Sequence, residues 1–203
     1  MIKIKRKINA YSLNEIFYLS YCFIRTKFIA SNARLIRFPF KMRGHSHIKL
    51  GDNFTSGVGC RIDAFPIQGK EGLCLTIGND VQINDYVHIA SINSVTIGNN
   101  VLMASKIYIS DHDHGFYGQE GRHDSPMIPP NERELSNKPV RIEDNVWIGQ
   151  SVSVLKGVTI GFGSIIGANS VVTKDIPPHC IALGSPAKVI RTFDFESKQW
   201  KKI

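Results

Sequence analysis

Cysteine is scarce and scattered: there are four in 203 residues, Cys22, Cys60, Cys74 and Cys180, and no two form a C-x-x-C pair. A chain of this length can build its core without disulfide staples, so free thiols in a reducing compartment are expected. Long apolar runs are missing too. The longest N-terminal stretch free of charge and proline runs from Ile16 to Ile24, well short of the ~20 residues that span a bilayer. A basic start and small residues near Ala30 imitate a signal peptide only loosely, because Tyr18, Ser20 and Tyr21 interrupt the apolar part. Acidic residues are nearly absent from the first quarter. Residues 1–49 hold eleven Lys or Arg and only Glu15, a balance of +10, against −2 for the rest with its 14 basic and 16 acidic residues. No nucleic-acid motif accompanies that charge, so no nucleic-acid partner is expected. An anionic membrane surface, a lipid-linked acceptor or a merely solvated helix face all remain open.

What is present begins with a helix signal. Ser12-Leu13-Asn14-Glu15 has the form of a capping box, and Leu13, Ile16, Phe17, Leu19, Phe23 and Ile24 follow as a thick apolar stripe. The pattern predicts a helix over about 13–29, within a basic N-terminal cap of residues 1–47.

From Leu50 onward a different period takes over. An aliphatic or small residue returns every six positions, as at Ile142, Ile148, Val154, Ile160, Ile166 and Val172, often with Gly or another small or polar residue after it. The same mark falls at 50, 56 and 62, at 77, 83 and 89, and at 97, 103 and 109, and every interruption comes after a third hexad. Six residues at 3.6 per turn would carry the mark to the far side of a helix, and six is too long for strand alternation. The period suits a triangular prism of short strands, three hexads to a coil and about five coils in all, stacked at ~4.8 Å with the marked aliphatics inside. Glycines after the mark are expected to serve tight corners or positive φ angles. The fold class is all-β, with the prism at 48–191, an excursion loop at 112–139 and a C-terminal tail at 192–203. Because the insertions share one edge of the prism, that edge is where function is sought. A purely structural rod would want flat, regular faces; this chain instead inserts a long segment containing His112 and His114.

The segments I-G-N-D-V-Q-I-N-D-Y-V-H-I-A (77–90), I-G-N-N-V-L-M-A (97–104), I-S-D-H-D-H-G (109–115), V-W-I-G-Q (146–150), I-G-A-N-S-V-V-T-K-D-I-P-P (166–178) and G-S-P-A-K-V-I-R (184–191) resemble the hexapeptide-repeat acyltransferases. In its catalytic half the chain is similar to the galactoside, maltose and nodulation-factor O-acetyltransferases. R-L-I-R-F-P-F (34–40) and F-T-S-G-V-G-C-R-I-D-A-F (54–65) resemble the branch that acetylates bacterial surface polysaccharides of the O-antigen and colanic acid type. The resemblance implies a left-handed parallel β-helix, a homotrimer with clefts between neighbours, and acetyl-CoA as cosubstrate with no metal. It implies acetyl transfer to a sugar hydroxyl of a surface polysaccharide or its precursor, in the cytoplasm or at the inner face of the membrane. Serine, drug or nucleotide-sugar acceptors and a non-enzymatic scaffold are the alternatives. A γ-class carbonic anhydrase is disfavoured because His88, His112 and His114 lack its ligand spacing.

The resemblance also implies roles for single residues. His112 takes the place of the catalytic base, and His114 is a weaker candidate for substrate contact. Asn84 takes the place of an amide that meets the acceptor or the oxyanion, although by itself it reads as an ordinary corner asparagine. Trp147, Gly149, Ala168, Thr173, Lys174, Lys188 and Arg191 would hold the donor's pantetheine arm and phosphates; Trp147 reads equally well as an apolar corner filler. Gln150 and Lys188 depart from the small residue and the Arg common at those places. No acidic N-terminal counterpart of the maltose-type acceptor site is found, which favours a different and larger sugar. No cysteine lies in the excursion, so direct transfer without an acetyl-enzyme is expected.

Overall fold

The computed structural model describes residues 11–118 and 121–203, so the first ten residues of the basic segment lie outside the described part. Its strands fall into three parallel stacks that form the faces of a prism. The first face holds Leu35–Ile36, Thr55–Ser56, Gln82–Ile83, Leu102–Met103, Trp147–Ile148, Ile165–Ile166 and Cys180–Gly184. The second holds Phe40–Arg43, Cys60–Ala64, His88–Ser91, Tyr108–Ser110, Ser153–Val154 and Val171–Val172, and the third holds Ile48–Leu50, Leu75–Ile77, Val95–Ile97, Val140–Ile142 and Thr159–Ile160. Five coils are complete on all three faces. A sixth closes through a single bridge between Ile160 and Ile176.

The six-residue mark is the inward row of each face. On the second face Ile62, Ile89, Ile109, Val154 and Val172 stand in register on successive strands, all fully buried. Each such side chain contributes about 1.5–3 kcal/mol relative to exposure. Two expectations change. The prism starts at Leu35, not at 48, because Leu35–Ile36 and Phe40–Arg43 pair with Thr55–Ser56 and the start of Cys60–Ala64. Gly44, at φ 76°, and the 3-10 turn His45–His47 stretch the next step and hid these hexads. The glycines after the mark do not serve positive φ. A Cβ on Gly51 would stand 2.4 Å from the carbonyl of Gly78, and one on Gly78 would stand 2.7 Å from that of Gly98, so these residues let successive coils approach. The left-handed turns come two residues later, at Asn53, Asp80, Asn100 and Asn145. The same corner carries a side-chain ladder in which Asn79, Asn99 and Asp144 each accept from the backbone N–H of the coil before, at 2.8 Å.

Helix α1 spans Leu13–Ile29 behind the expected capping box, with Ser12 N–H donating to Glu15 at 2.7 Å. It buries only a narrow seam, Cys22 and Thr26, against the first strand of the prism. Thr26 Oγ1 accepts from the edge amide of Ile36 at 2.8 Å, and the Tyr18 hydroxyl donates to the Phe38 carbonyl at 2.6 Å. The opposite side exposes Leu13 and Phe17 at 74% and Phe28 at 86%. Among the described residues no helix is long and apolar enough to cross a membrane.

At the other end the expected tail is a strand. Ala187–Asp194 turns back antiparallel on Cys180–Gly184, and Gln199–Lys202 pairs with it, closed by Phe193 against Trp200.

All the insertions leave from the corner between the second and third faces: residues 44–47, 65–74, 92–94 and 111–139. The long excursion starts as a ribbon in which His112–His114 pairs antiparallel with Leu135–Asn137. Lys156 holds its base, bonded to Asp113 at 2.9 Å and to the Ser136 hydroxyl.

Candidate active site

The excursion corner sets His112 at the rim of a pocket of about 290 Å³ whose other walls include Arg43, Arg61, Asp63, Phe65, His88, Tyr108 and Leu135. Tyr108–Ser110 ends the strand beneath it, and Asp111 turns inward where the chain leaves the prism. Asp111 is fully buried. Its Oδ2 accepts from Ser91 Oγ at 2.9 Å, Asn93 N–H at 2.8 Å and Ser94 N–H at 2.7 Å, while Oδ1 accepts from Ile92 N–H at 3.0 Å and faces His112 Nδ1 at 2.9 Å. Burial works to raise the Asp111 pKa. The bonds from His112, Ile92, Asn93 and Ser91 outweigh it and hold the carboxyl below its ordinary value. An ionised carboxylate can only accept, so the proton of neutral His112 resides on Nδ1 and Nε2 keeps its lone pair. Ser110 Oγ stands 3.2 Å from the same Nδ1.

The opposite wall is a second cluster around Asp63, itself nearly buried. Arg43 grips the carboxylate with two bonds of 2.7 and 2.9 Å; Arg61 Nε donates at 2.5 Å and His88 Nε2 stands at 3.2 Å. Burial tends to raise the Asp63 pKa, but the bonds from Arg43, His88 and Arg61 prevail and lower it. His88 is pushed down by burial, against the Asp63 bond. The His88 ring lies 5.6 Å from that of Tyr108, and the Arg43 guanidinium lies 5.0 Å from the Phe65 ring.

These residues escaped the reading of the sequence, though a signal was there. Arg61, His88 and Tyr108 each sit one place before a mark on the second face, and the register stacks them in one outward row. The same six-residue period that sets the buried row also aligns what faces out.

The remaining expected site residues are dispersed. His114 is exposed and faces the Pro130 carbonyl at 3.2 Å, pinning the excursion. Asn84 lies at the corner between the first and second faces, where its amide oxygen accepts from Gln82 at 3.4 Å. Gly149 and Ala168 share that corner; Gly149 admits the next coil, since a Cβ there would meet Ala168 N at 2.7 Å. Trp147 stands half-exposed on the first face, between Leu102 and Ile165. Thr173 and Lys174 follow Val171–Val172 at the excursion corner, exposed, and Lys188 and Arg191 lie on the C-terminal hairpin. One chain thus gathers His112 with Asp111 and the Asp63 cluster, and leaves Asn84 and the Trp147 face elsewhere. Among the described residues no group of three His, Cys, Asp or Glu could hold a metal ion.

A family model, the bacterial transferase hexapeptide (six repeats), matches residues 139–174. The Escherichia coli (strain K12) protein "Putative lipopolysaccharide biosynthesis O-acetyl transferase WbbJ" is 47% identical over 177 residues, 87% of this chain and 88% of that one. The galactoside O-acetyltransferase of the same strain is 36% identical over 135 residues, 66% of this chain and 62% of its own. Among solved structures, a mutant of AntD, an N-acyltransferase from Bacillus cereus in complex with dTDP-4-amino-4,6-dideoxyglucose and coenzyme A, shares the fold with a TM-score of 0.66 at 20% identity, covering 82% of this chain and 83% of that one. Stacked hexads, excursions confined to one corner and a relative matched over most of both chains point the same way: the chain is a left-handed parallel β-helix and belongs to the hexapeptide-repeat acyltransferases.

Proposed function

We propose that this enzyme moves an acetyl group from acetyl-CoA directly to a hydroxyl of a surface-polysaccharide sugar, or of its precursor, with His112 as general base. The observation that carries the reading is the buried, ionised Asp111 on Nδ1 of His112, which leaves Nε2 free to accept a proton at the mouth of a pocket. The hydroxyl oxygen attacks the thioester carbonyl as its proton passes to Nε2. The tetrahedral intermediate then expels the CoA thiolate, which recovers that proton. Asp111 stays ionised throughout and stabilises the imidazolium. No thiol competes as nucleophile: all four cysteines are buried, and burial pushes Cys60 up to about 11 and raises Cys74 and Cys180. The 47% identity to a relative named for lipopolysaccharide biosynthesis supports the acceptor class.

Acetyl-CoA would be held by Trp147, Gly149 and Ala168 along its arm, with Thr173, Lys174, Lys188 and Arg191 at its phosphates; Asn84 would meet the acceptor or the oxyanion. Trp147, Gly149, Ala168 and Asn84 lie on the first face or the corner after it, away from His112, which supports a homotrimer in which the excursion corner of one copy faces the first-face corner of the next. The +10 of residues 1–49 and the exposed side of α1 support peripheral contact with an anionic membrane or a lipid-linked acceptor.

The test is thiol release from acetyl-CoA with the host polysaccharide as acceptor. His112→Ala should lower turnover about 10²–10⁴-fold with little change in the KM for acetyl-CoA. Near-full turnover, or an acetyl group trapped on the protein, overturns the mechanism. A fully active monomer in sedimentation equilibrium overturns the shared site.

A further inference from the structure

The pocket below His112 has more positive charge than its own structure needs. Asp63 carries one negative charge, and Arg43 alone occupies both of its oxygens, with His88 as an additional partner. Arg61 therefore comes as a surplus cation, bound to Asp63 through Nε and lining the pocket. Both guanidiniums are accessible, with Arg43 48% and Arg61 45% exposed, while the carboxylate that aligns them is 4% exposed. Lys41 stands beside Arg61 in the outward row, on the side away from His112. The remaining walls are rings and apolar groups: Phe65, whose ring lies 5.0 Å from the Arg43 guanidinium, with Tyr108 and Leu135. A site of this form, apolar walls with fixed donors at one end, is built for a ligand whose far end is charged. A neutral sugar could only accept from these guanidiniums with its hydroxyls, whereas an anion also meets the second positive charge and makes the stronger, charge-assisted bonds.

Register gives the distance. Arg61 lies two strands from Tyr108–Ser110, the strand that runs into His112, which is about 10 Å at ~4.8 Å per strand spacing. One sugar ring with a charged substituent fits such a span.

We infer that the acceptor of this site carries an acidic group, a sugar carboxylate or a phosphate ester, which Arg61 and Arg43 receive while a hydroxyl of the same or the adjoining sugar meets His112. The inference rests on the reading of His112 as the transfer base. The recognising chemistry is an oxyanion presenting two oxygens to a planar fork of N–H donors. His88 and Tyr108, between the two ends, would line the ring of the sugar.

The experiment compares methyl galactoside, methyl galacturonide and galactose 1-phosphate as acceptors, by kcat/KM at saturating acetyl-CoA. The native enzyme should favour one of the charged sugars by about tenfold or more, and which one it favours separates carboxylate from phosphate. Arg61→Gln should lower kcat/KM for that sugar about 10–100-fold, mainly through KM, lower it for methyl galactoside by much less, and leave the KM for acetyl-CoA little changed. Asp63 keeps its two bonds to Arg43 in this variant, so the fold is retained, and Arg61→Lys should restore part of the loss. Equal use of neutral and charged sugars by the native enzyme overturns the inference. So does an equal loss for both in Arg61→Gln. Should none of the three be acetylated, their binding in the presence of CoA is followed by NMR titration, and affinity no higher for the charged sugars overturns it as well. His112→Ala keeps the two readings apart: it should slow transfer about 10²–10⁴-fold while binding still favours the charged sugar. If it transfers normally, the base assignment falls and the Arg61 comparison stands on its own.

Discussion

Replacing Asp111 by Asn changes one atom in a carboxylate whose two oxygens do different work. Oδ2 receives Ser91 Oγ, Asn93 N–H and Ser94 N–H at 2.7–2.9 Å, and Ile92 N–H also reaches it at 3.2 Å; Oδ1 receives Ile92 N–H and faces His112 Nδ1. An amide offers one acceptor and one NH₂. With the NH₂ at the Oδ2 position it would face the N–H groups of Asn93 and Ser94, each left without a partner at about 1–3 kcal/mol, while Ser91 Oγ keeps the Cys74 carbonyl and Ile92 N–H the other oxygen. At the Oδ1 position it faces only Ile92 N–H and the imidazole. The amide nitrogen therefore turns to His112 and donates to Nδ1, which moves the ring proton to Nε2 and removes the lone pair that would take the hydroxyl proton. Asp111→Asn should lower kcat by about 10²–10⁴-fold, near the full general-base contribution, with the KM for acetyl-CoA little altered. The remaining Ile92 conflict and the lost charge should cost about 1–3 kcal/mol of stability, read as a lower urea midpoint. Steady-state kinetics at saturating acetyl-CoA check the first part. Turnover within about threefold of the native value, an effect far below that general-base range, would falsify the argument from tautomer.

The pH dependence of stability should carry a signature of His88: its folded pKa lies below the ordinary 6.5, so the unfolded chain binds more protons there and stability rises with pH up to that value. Urea unfolding between about pH 5 and about pH 7 should show a shallower slope in His88→Gln, and an unchanged slope refutes the assignment. Asp63 and Asp111 act further down, since their lowered pKa values make a contribution that is complete above 3.8 and lost as pH falls below it; acid unfolding of Asp63→Asn should begin from a lower plateau. Gly51→Ala places a Cβ 2.4 Å from the Gly78 carbonyl and should cost about 1–3 kcal/mol or more, and an unchanged melting temperature would show that the coils can separate freely. Liposome flotation should find the native protein on anionic vesicles at low salt and Phe17→Glu largely off them; no binding by either leaves α1 as a seal on the first strand alone.

The fold was legible because the inward row of each face is buried from the second coil on, so every sixth residue had to be aliphatic or small, as Ile62, Ile89 and Ile109 are. The limits of α1 were legible because Ser12 and Glu15 satisfy each other locally. The start of the prism was not, because the step from Met42 to Leu50 passes through Gly44 and a 3-10 turn. His112 carried a recognisable neighbourhood, D-H-D-H, but adjacency could not tell whether Asp111 or Asp113 aims at the ring. The answer depends on which side chain turns into the prism: Asp111 enters and meets the 92–94 backbone, while Asp113 points outward to Lys156. The bonds of Asp63 to Arg43 and His88 were hidden for a similar reason, since they span neighbouring coils.

The stack of the second face also works as a gauge with fixed graduations. Groups that project from it are separated by whole strand spacings, and a whole coil can be added or removed between them without disturbing the packing of the others. On the proposed roles of Arg61, Arg43 and His112, the interval between them could change only in steps of ~4.8 Å, never continuously. Selectivity for shorter or longer acceptors would then diverge by gain or loss of about eighteen residues at a time, a change visible as a length difference before any side chain is compared.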